Sequence, residues 1–234
     1  MAAVLASQTV VAAANFTDTQ GHWARDVIAN LNAMDVVRGD GDGRVRPDDP
    51  ITRAEFAALL LRAEDIDVSA SGSAQGASGF ADVAPDHWEY PYVQAARARG
   101  IINGLDQTHF GPKANVTREQ IVAMIIRASR AVEPARSDSK TFSDVDAGRW
   151  SAGYILAAYR AGIVNGVGPD TFKPGDPATR AQAAAMIQRL LLAETKPEFL
   201  PSVEDLIKLV EDYEVTSAEV ISAGYPFNWS RTNF

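Results

Sequence analysis

The stretch ITRAE at Ile51–Glu55 returns twice, as VTREQ at Val116–Gln120 and as ATRAQ at Ala178–Gln182. Each copy places Glu or Gln three residues after Thr, which is the capping box of a helix N-terminus. The stretch therefore predicts three helices that begin after Thr52, Thr117 and Thr179. Apolar residues follow each start at helical spacing: Phe56, Leu59, Leu60 and Ala63; Ile121, Met124, Ile125 and Ala128; Met186, Ile187 and Leu190.

The arginine of each copy, at Arg53, Arg118 and Arg180, falls at the first helical position. A cation there opposes the positive end of the helix macrodipole, at a cost of roughly 0.3–1 kcal/mol. Three such arginines at one register indicate that an anionic group is expected near each helix start, where free backbone N–H groups also favour anions. The alternative is a solvated surface charge or an ion pair with a neighbouring acid.

The helices belong to three blocks of sequence that align with one another, Phe16–Ile66, Phe80–Val132 and Phe142–Leu192. Each block opens with Phe-x-Asp and has a tryptophan soon afterwards. A glycine follows 16 residues after the tryptophan, and the Thr of the Thr-Arg pair follows 13 residues after that glycine, in all three blocks. Invariant spacing at so many positions indicates three copies of one structural unit. The aligned positions are Asp18, Asp82 and Asp144; Trp23, Trp88 and Trp150; Gly39, Gly104 and Gly166; and Pro47, Pro112 and Pro174.

Each block is interpreted as a helix, a loop rich in Gly, Asp and Pro, and a second helix. The first helix is expected to run from about the tryptophan to just before the glycine, and the glycine to cap it in the left-handed conformation. In the first block, Val27, Ile28, Leu31 and Met34 are predicted to face inward. Because two short helices cannot bury their apolar faces alone, the sequence predicts an all-α protein whose three helix-loop-helix units share one core.

Four segments lie outside the blocks. Residues 1–15 are apolar and end in small residues, which is consistent with a truncated export signal or with an N-terminal helix. Residues 67–79 are interpreted as a Gly/Ser linker, and residues 133–141 as a second linker. The tail, 193–234, contains a predicted amphipathic helix after Pro201, which either packs back on the repeats or begins a further domain.

Composition excludes several classes of function. The chain has 234 residues and a net charge of −8, which argues against non-specific nucleic-acid binding. It has no cysteine, so disulfides and Cys-ligated metals are excluded. The loop DGDG at Asp40–Gly43 suggests calcium, but Arg44 and Ile51 occupy positions where an EF-hand needs oxygen ligands, so a turn is predicted. No catalytic or nucleotide-binding fingerprint is present, and we expect no enzyme activity, cofactor or metal.

These motifs together resemble a known family. Phe-x-Asp-Val, a helix-opening Trp, an Asn-Gly loop that ends in Phe-x-Pro, and Thr-Arg-Ala-Glu/Gln are similar to the S-layer homology domain, and the resemblance covers residues 16–192. It implies a pseudo-threefold spindle of three repeats with grooves between adjacent repeats. In such grooves the family binds a cell-wall glycopolymer, typically one with pyruvate-ketal-bearing N-acetylmannosamine, and so fixes a secreted protein to the bacterial surface without a covalent bond. The Thr-Arg arginine is expected to contact the ligand carboxylate, helped by the loop glycine and the opening aspartate.

The candidate glycan-binding residues each have a structural alternative. The aspartates are equally consistent with turn or cap residues, and could also orient the arginines. The tryptophans are favoured as core anchors over sugar-stacking platforms. The glycines are first of all helix caps, although the missing side chain also lets a sugar approach the backbone. The candidates are Arg53, Arg118, Arg180, Asp18, Asp82, Asp144, Gly39, Gly104, Gly166, Asn103, Asn165, Trp23, Trp88 and Trp150.

The three blocks are not identical. The first has Arg38 where the others have Asn103 and Asn165, and Val45 where the others have Phe, so its groove departs furthest from the family pattern. The third has Arg149 in place of the His before Trp. Two alternatives to wall anchoring stay open at this stage: a surface lattice in which the repeats mediate self-association, and the anchor region of a secreted enzyme whose catalytic domain lies elsewhere.

Overall fold

The computed structural model describes residues 16–69, 79–129, 132, 134 and 142–194. Those residues form six α-helices, with a short 3-10 helix at Thr17–Thr19. Each repeat supplies two helices: α1 Arg25–Ala33 and α2 Arg53–Ala63, then α3 Tyr90–Ala98 and α4 Arg118–Ala128, then α5 Ala152–Arg160 and α6 Arg180–Glu194. Within these ranges β-pairing is limited to isolated bridges, so the predicted all-α fold is confirmed.

The capping boxes form as the sequence predicts. The Thr52 hydroxyl accepts from the backbone N–H of Glu55 while the Glu55 carboxylate accepts from the backbone N–H of Thr52. Thr117 and Gln120 make the same pair of bonds, and Thr179 and Gln182 do so at 3.2 and 3.4 Å. Each box satisfies two backbone donors that a helix start leaves open, which explains why the helices begin at these residues.

The three helix starts meet at the centre of the molecule in a ring of backbone hydrogen bonds. Ile51 N–H donates to the Ala178 carbonyl, Ala178 N–H donates to the Val116 carbonyl, and Val116 N–H donates to the Ile51 carbonyl, each at 3.0 Å. All three residues are fully buried. The pseudo-threefold arrangement of the repeats is therefore closed by direct bonds between every pair of repeats.

One apolar core runs through all three repeats, as the sequence predicts. The second helices contribute Phe56, Leu60, Ile121, Ile125 and Ile187, which are all fully buried. Neighbouring repeats also pack helix on helix, as α2 on α3, α4 on α5, and α6 back on α1. The third repeat thus returns to the first, and the repeats close into a ring.

The first helices end earlier than predicted. The helix α1 stops at Ala33, and of its four predicted inward residues Ile28 and Leu31 are buried and Val27 is partly buried. Met34 is about half exposed, so its predicted inward orientation is wrong. It is the residue at which the chain leaves the helix, and helical periodicity no longer sets its direction.

The prediction that Gly39, Gly104 and Gly166 cap these helices is also wrong. The left-handed residues after the helices are Asp35, Gly100 and Gly162, with φ of 58°, 68° and 74°. The predicted glycines lie further along the loop and are needed for space. A Cβ on any of them would come within 3 Å of a loop carbonyl oxygen and of the opening Phe ring of the same repeat, Phe16, Phe80 or Phe142.

The possible export signal, 1–15, and the tail from residue 195 onward lie outside the described residues, as do most positions of the two linkers. Within the described part of the chain, no helix is both long and apolar enough to cross a membrane.

Candidate functional site

The three arginines of the Thr-Arg pairs reach across to the loop of the next repeat around the ring. Arg53 Nε donates to the Phe110 carbonyl at 2.8 Å, Arg118 Nε to the Phe172 carbonyl at 2.8 Å, and Arg180 Nε to the Val45 carbonyl at 2.7 Å. The guanidinium groups of Arg53 and Arg118 also lie over the Phe110 and Phe172 rings, 4.7 Å from the ring centres. Each arginine therefore joins two repeats.

The opening aspartates hold the same loop residues from the other side. Asp82 accepts from the backbone N–H groups of Phe110 and Gly111 at 2.8 and 2.7 Å. Asp144 does the same for Phe172 and Lys173, and Asp18 for Val45 and Arg46. One loop residue per repeat is thus fixed at its N–H by an aspartate and at its carbonyl by an arginine. We call each such set an Asp–Arg clamp.

The charges of a clamp influence one another. Burial lowers the pKa of the Arg53 guanidinium, and the nearby Asp82 carboxylate opposes that shift. Burial raises the pKa of the Asp82 carboxyl, but the N–H groups of Phe110 and Gly111 outweigh it, so that this pKa lies below its ordinary value. Asp82 therefore stays ionised and Arg53 stays a cation over the pH range of ordinary solutions.

The backbone N–H groups at the helix starts are not free, contrary to the expectation from the sequence. Arg53 and Ala54 N–H donate to the carbonyls of Ala114 and Pro112 in the next repeat, at 2.9 and 3.1 Å. The first two N–H groups of α4 and of α6 are occupied in the same way, by Asp176 and Pro174 and by Asp49 and Pro47. Any anion bound here must therefore be held by side chains.

Side chains of all three repeats converge in a groove that we call groove 1. Its volume is about 300 Å³. The third repeat supplies Arg180, the first supplies Gly39, Glu55 and Arg62, and the second supplies Trp88. Arg62 is steadied by the second repeat, since its Nε donates to the Tyr92 hydroxyl at 3.3 Å. Further lining residues are Arg38, Asp40, Val45, Arg46, Asp49, Pro50, Ala58 and Leu59.

An equivalent groove of about 180 Å³, groove 2, lies one repeat further on. Its lining is Arg53 from the first repeat, Asn103, Gly104, Leu105, Gln120, Ala123, Met124 and Arg127 from the second, and Trp150 from the third. Arg127 is held by the Tyr154 hydroxyl at 3.2 Å, as Arg62 is held by Tyr92. The structure thus brings together the sequence-predicted arginine, asparagine, glycine and tryptophan from three different repeats.

The tryptophans are surface residues, and the favoured prediction that they are core anchors is wrong. Trp23, Trp88 and Trp150 are 62%, 55% and 54% exposed. Each tryptophan precedes the first helix of its repeat, so the apolar periodicity of that helix does not direct it into the core. Trp88 and Trp150 instead form one wall of grooves 1 and 2.

At the third junction the equivalent positions are Arg118, Asn165, Gly166 and Gln182, with Trp23 at the start of α1, the helix that packs on α6. Arg118 NH1 donates to Gln182 Oε1 at 3.4 Å. The opening aspartates Asp18, Asp82 and Asp144, by contrast, are not among the residues that line grooves 1 and 2. They shape the grooves through the clamps.

Some groove residues were missed in the sequence. Arg62 and Arg127 stand nine residues after Arg53 and Arg118, and Arg189 stands nine after Arg180, so alignment of the repeats would have shown them. An ion pair between Glu119 of the second repeat and Arg149 of the third was also missed. Arg149 donates to the buried Glu119 carboxylate at 2.7 and 2.8 Å, and the Ser151 hydroxyl donates to the same group.

One further prediction concerns the loop in which the sequence suggests calcium. The loop that begins at Asp40 is a turn, as predicted, because the Asp40 carboxylate accepts from the backbone N–H of Asp42 at 3.0 Å and of Arg44 at 3.3 Å. In the ranges that the structure describes, no group of three acidic or His residues is placed to hold a metal ion.

Comparison with known proteins agrees with this architecture. A model of the S-layer homology domain matches residues 15–57, 79–122 and 141–184. The chain is 36% identical over 186 residues to an amylopullulanase of Thermoanaerobacterium thermosulfurigenes. The aligned region covers 75% of this chain and 9% of that protein. It is 32% identical over 185 residues to exoglucanase XynX of Acetivibrio thermocellus, covering 75% of this chain and 16% of that protein.

An S-layer protein of Bacillus licheniformis is 27% identical over 199 residues, which are 85% of this chain and 22% of that protein. The chain therefore spans less than a quarter of the length of each of these relatives. The three ranges that the family model matches contain the clamps and the capping boxes. The chain belongs to the S-layer homology domain family.

Proposed function

We propose that this chain anchors a protein to the bacterial cell wall by binding an acidic, pyruvylated wall polysaccharide in the grooves between its repeats. Membership of the S-layer homology domain family supports the general part of this proposal, a cell-surface anchoring role. The relatives described above are an S-layer protein, an amylopullulanase and an exoglucanase. An anchor is the function that such different proteins would have in common, and these repeats are the part that they share with this chain.

The observation that carries the glycan proposal is the composition of grooves 1 and 2. Each combines the guanidinium of a Thr-Arg arginine, a second arginine from the second helix of the next repeat around the ring, and an exposed indole. A planar carboxylate is matched by a guanidinium through charge-assisted hydrogen bonds. A flat indole face is suited to the apolar face of a pyranose ring. Together these groups favour a polymer in which at least one sugar bears a carboxylate, such as a pyruvyl ketal of N-acetylmannosamine.

The glycine at the loop position supports the same proposal. Gly39 and Gly104 line their grooves with backbone atoms, which a sugar can contact directly. Asn103 adds a side-chain amide beside Gly104. The backbone carbonyl of Asn103 accepts a hydrogen bond from Arg53 NH2 at 2.8 Å. The donors of groove 2 are therefore held in place before a ligand arrives, which lowers the entropy cost of binding.

The proposal is tested by removing the two groove tryptophans together. Because Trp88 and Trp150 are more than half exposed, their change to Ala should alter the free energy of unfolding by less than about 1 kcal/mol. Loss of both stacking faces should weaken binding to purified wall polymer by ~30-fold or more. The measurements are urea unfolding and sedimentation with wall sacculi, before and after acid removal of the wall polymer.

Met34→Ala is the matched control, because Met34 is an exposed apolar residue that lines neither groove. It should leave binding unchanged. Equal binding to stripped and intact sacculi, or full binding by the double tryptophan variant, would contradict the proposal. Retention on stripped sacculi together with self-association in solution would favour the lattice alternative instead.

A further inference from the structure

Grooves 1 and 2 differ at one position that interacts with the Thr-Arg arginine. The last residue of the capping box is Glu55 in groove 1 and Gln120 in groove 2, and Gln182 takes this place at the third junction. All three side chains cap their helices in the same way. Their chemistry differs, because a carboxylate only accepts hydrogen bonds and carries a negative charge, whereas an amide also donates.

In groove 1 the carboxylate of Glu55 is already bound to the arginine. Glu55 Oε2 accepts from the Thr52 backbone N–H and hydroxyl, each at 2.8 Å, and Oε1 accepts from Arg180 NH1 at 2.8 Å. The pair is partly buried, with 19% of the Arg180 side chain and 35% of the Glu55 side chain exposed. An ion pair at this distance and burial is stronger than one in open solvent. The position where a ligand carboxylate would lie is thus occupied by a carboxylate of the protein.

In groove 2 the equivalent amide leaves the arginine to other partners. Gln120 Oε1 accepts from the Thr117 backbone N–H at 3.2 Å, so its nitrogen is a donor. Arg53 donates to the backbone carbonyls of Phe110 and Asn103, which carry no net charge. At the third junction the bond from Arg118 to Gln182 is long, at 3.4 Å. A ligand carboxylate at groove 2 would therefore meet donors from both side chains.

The other charged side chains also distinguish the two grooves, because acidic residues accompany the arginines in groove 1 and not in groove 2. Groove 1 has four arginines in its lining, but Asp40, Asp49 and Glu55 accompany them. Arg46 pairs with Asp40 at 2.8 Å, and Arg38 pairs with Asp35 at 2.6 Å. Among the described residues that line groove 2 there are two arginines and no carboxylate. Groove 1 is internally compensated, whereas groove 2 carries a positive charge.

We propose that Glu55 is the residue that sets ligand specificity in groove 1, where it replaces the ligand's carboxylate. Groove 1 then takes an uncharged, hydroxyl-bearing sugar of the polymer, while groove 2 takes the carboxylate-bearing sugar. An acidic sugar in groove 1 would have to displace the Arg180–Glu55 pair and lie beside the displaced carboxylate, which like-charge repulsion opposes. Sugar hydroxyls, in contrast, can donate to Asp40, Asp49 and Glu55. This inference rests on the proposed wall-polysaccharide function.

The tryptophans allow each groove to be followed separately. Trp88 lines groove 1 and Trp150 lines groove 2, so their indole N–H resonances report binding at the two sites. The resonances are assigned with Trp88→Phe and Trp150→Phe. The probes are the pyruvyl ketal of methyl N-acetylmannosaminide and the same glycoside without the ketal. Each is titrated into the 15N-labelled full chain, and an apparent Kd is fitted for each indole.

In the parent protein the ketal should shift the Trp150 signal with an apparent Kd at least about tenfold below that at Trp88, which is ~1.4 kcal/mol. Glu55→Gln should lower the Kd at Trp88 to within about threefold of that at Trp150. The helix cap should survive, because Gln fills this position in the other two repeats. The reciprocal change, Gln120→Glu, should raise the Kd at Trp150 by at least about tenfold.

Three outcomes would overturn the inference. The first is equal titration of Trp88 and Trp150 by the ketal in the parent protein. The second is an unchanged Kd at Trp88 in Glu55→Gln, and the third, which serves if that variant fails to fold, is an unchanged Kd at Trp150 in Gln120→Glu. Failure of the proposed function is a separate result, in which the ketal and the parent glycoside shift Trp150 equally, or neither shifts it.

Discussion

At the scale of single residues, the arginines at the helix starts have a structural reason that the sequence did not reveal. The guanidinium of Arg53 extends away from its own helix and donates to carbonyl oxygens of the next repeat, beside an aromatic ring. These contacts offset the unfavourable macrodipole and would be lost in an Arg→Ala variant. Arg118→Ala should therefore destabilise the fold as well as any ligand site, because Arg118 is buried and joins two repeats. This is why the tryptophans and Glu55 are better probes of binding.

The glycine of the Asn-Gly loop has an equally local reason, which leads to a prediction. A Cβ at residue 104 would meet the carbonyl oxygens of Asp106 and His109 and the ring of Phe80, so the loop would have to move. We expect Gly104→Ala to lower the free energy of unfolding by about 2–4 kcal/mol, as overpacking against backbone does. Urea unfolding monitored by circular dichroism measures this change.

Gly148→Ala is the control for that variant. Nothing lies within 4 Å of a Cβ placed at residue 148, and its backbone is not in the left-handed region. Its free energy of unfolding should stay within about 0.5 kcal/mol of the parent value. If both alanine variants are equally stable, the steric reason for the recurring loop glycine is wrong.

At the scale of helices, α4 differs from α2 and α6 by an acid at its second position. Glu119 takes the place of Ala54 and Ala181, and Arg149 takes the place of a histidine, so the two departures from the repeat pattern contact each other. Burial raises the pKa of the Glu119 carboxyl, but bonds from Arg149 and Ser151 outweigh it and hold this pKa below its ordinary value of 4.5. The pair replaces a small residue and a histidine without leaving a buried charge unpaired.

This pair predicts an asymmetric response to substitution. Arg149→Ala leaves the Glu119 carboxylate buried without its cation and should cost about 3 kcal/mol or more at neutral pH. Glu119→Ala leaves only the partly exposed Arg149 side chain and should cost roughly 1 kcal/mol. The double change Glu119→Ala with Arg149→His recreates the pattern of the other two junctions and should be near the parent stability. Urea unfolding of the parent protein and of these three variants makes the comparison.

The pH dependence of the same pair has a definite sign. Because the folded pKa of Glu119 is the lower one, the unfolded chain takes up its proton first as the pH falls. The stability that the carboxylate contributes is complete above pH 4.5 and is lost below it. The parent protein should therefore lose more stability than Glu119→Gln between pH 6 and about pH 3. Parallel curves for the two proteins would show that the ion pair contributes nothing.

Helix starts were predictable from the sequence, whereas helix ends and exposed faces were not. Thr and Glu or Gln at fixed spacing act through local bonds, so Thr52, Thr117 and Thr179 were assigned correctly. The helix ends depend on which residue takes a positive φ, and in the first repeat that residue is Asp35 instead of a glycine. The tryptophans were misassigned because hydrophobicity favours burial, while the groove that exposes them forms only when three repeats meet.

At the scale of the whole molecule, the ring at Ile51, Val116 and Ala178 makes each repeat depend on the other two. The first two N–H groups of α4 are satisfied by the third repeat, those of α6 by the first, and those of α2 by the second. The grooves have the same property, since each of grooves 1 and 2 needs side chains from three repeats. Stability and binding therefore belong to the closed set of repeats and not to one of them.

The last prediction follows from this closure. A chain that ends at residue 136 keeps the first two repeats but loses the carbonyls of Pro174 and Asp176 that satisfy α4, and the carbonyl of Ala178 that satisfies Ile51. It also exposes the faces of α1 and α4 that pack on α6 and α5. We expect this fragment to show no cooperative urea transition, whereas the full chain unfolds in a single one. Mixing it with a second fragment, residues 137–234, should restore helical circular dichroism in a concentration-dependent way, because the missing bonds and faces lie in that piece. A truncated chain that unfolds cooperatively at the midpoint of the full chain would mean that the repeats fold independently and that the ring at their centre does not couple them.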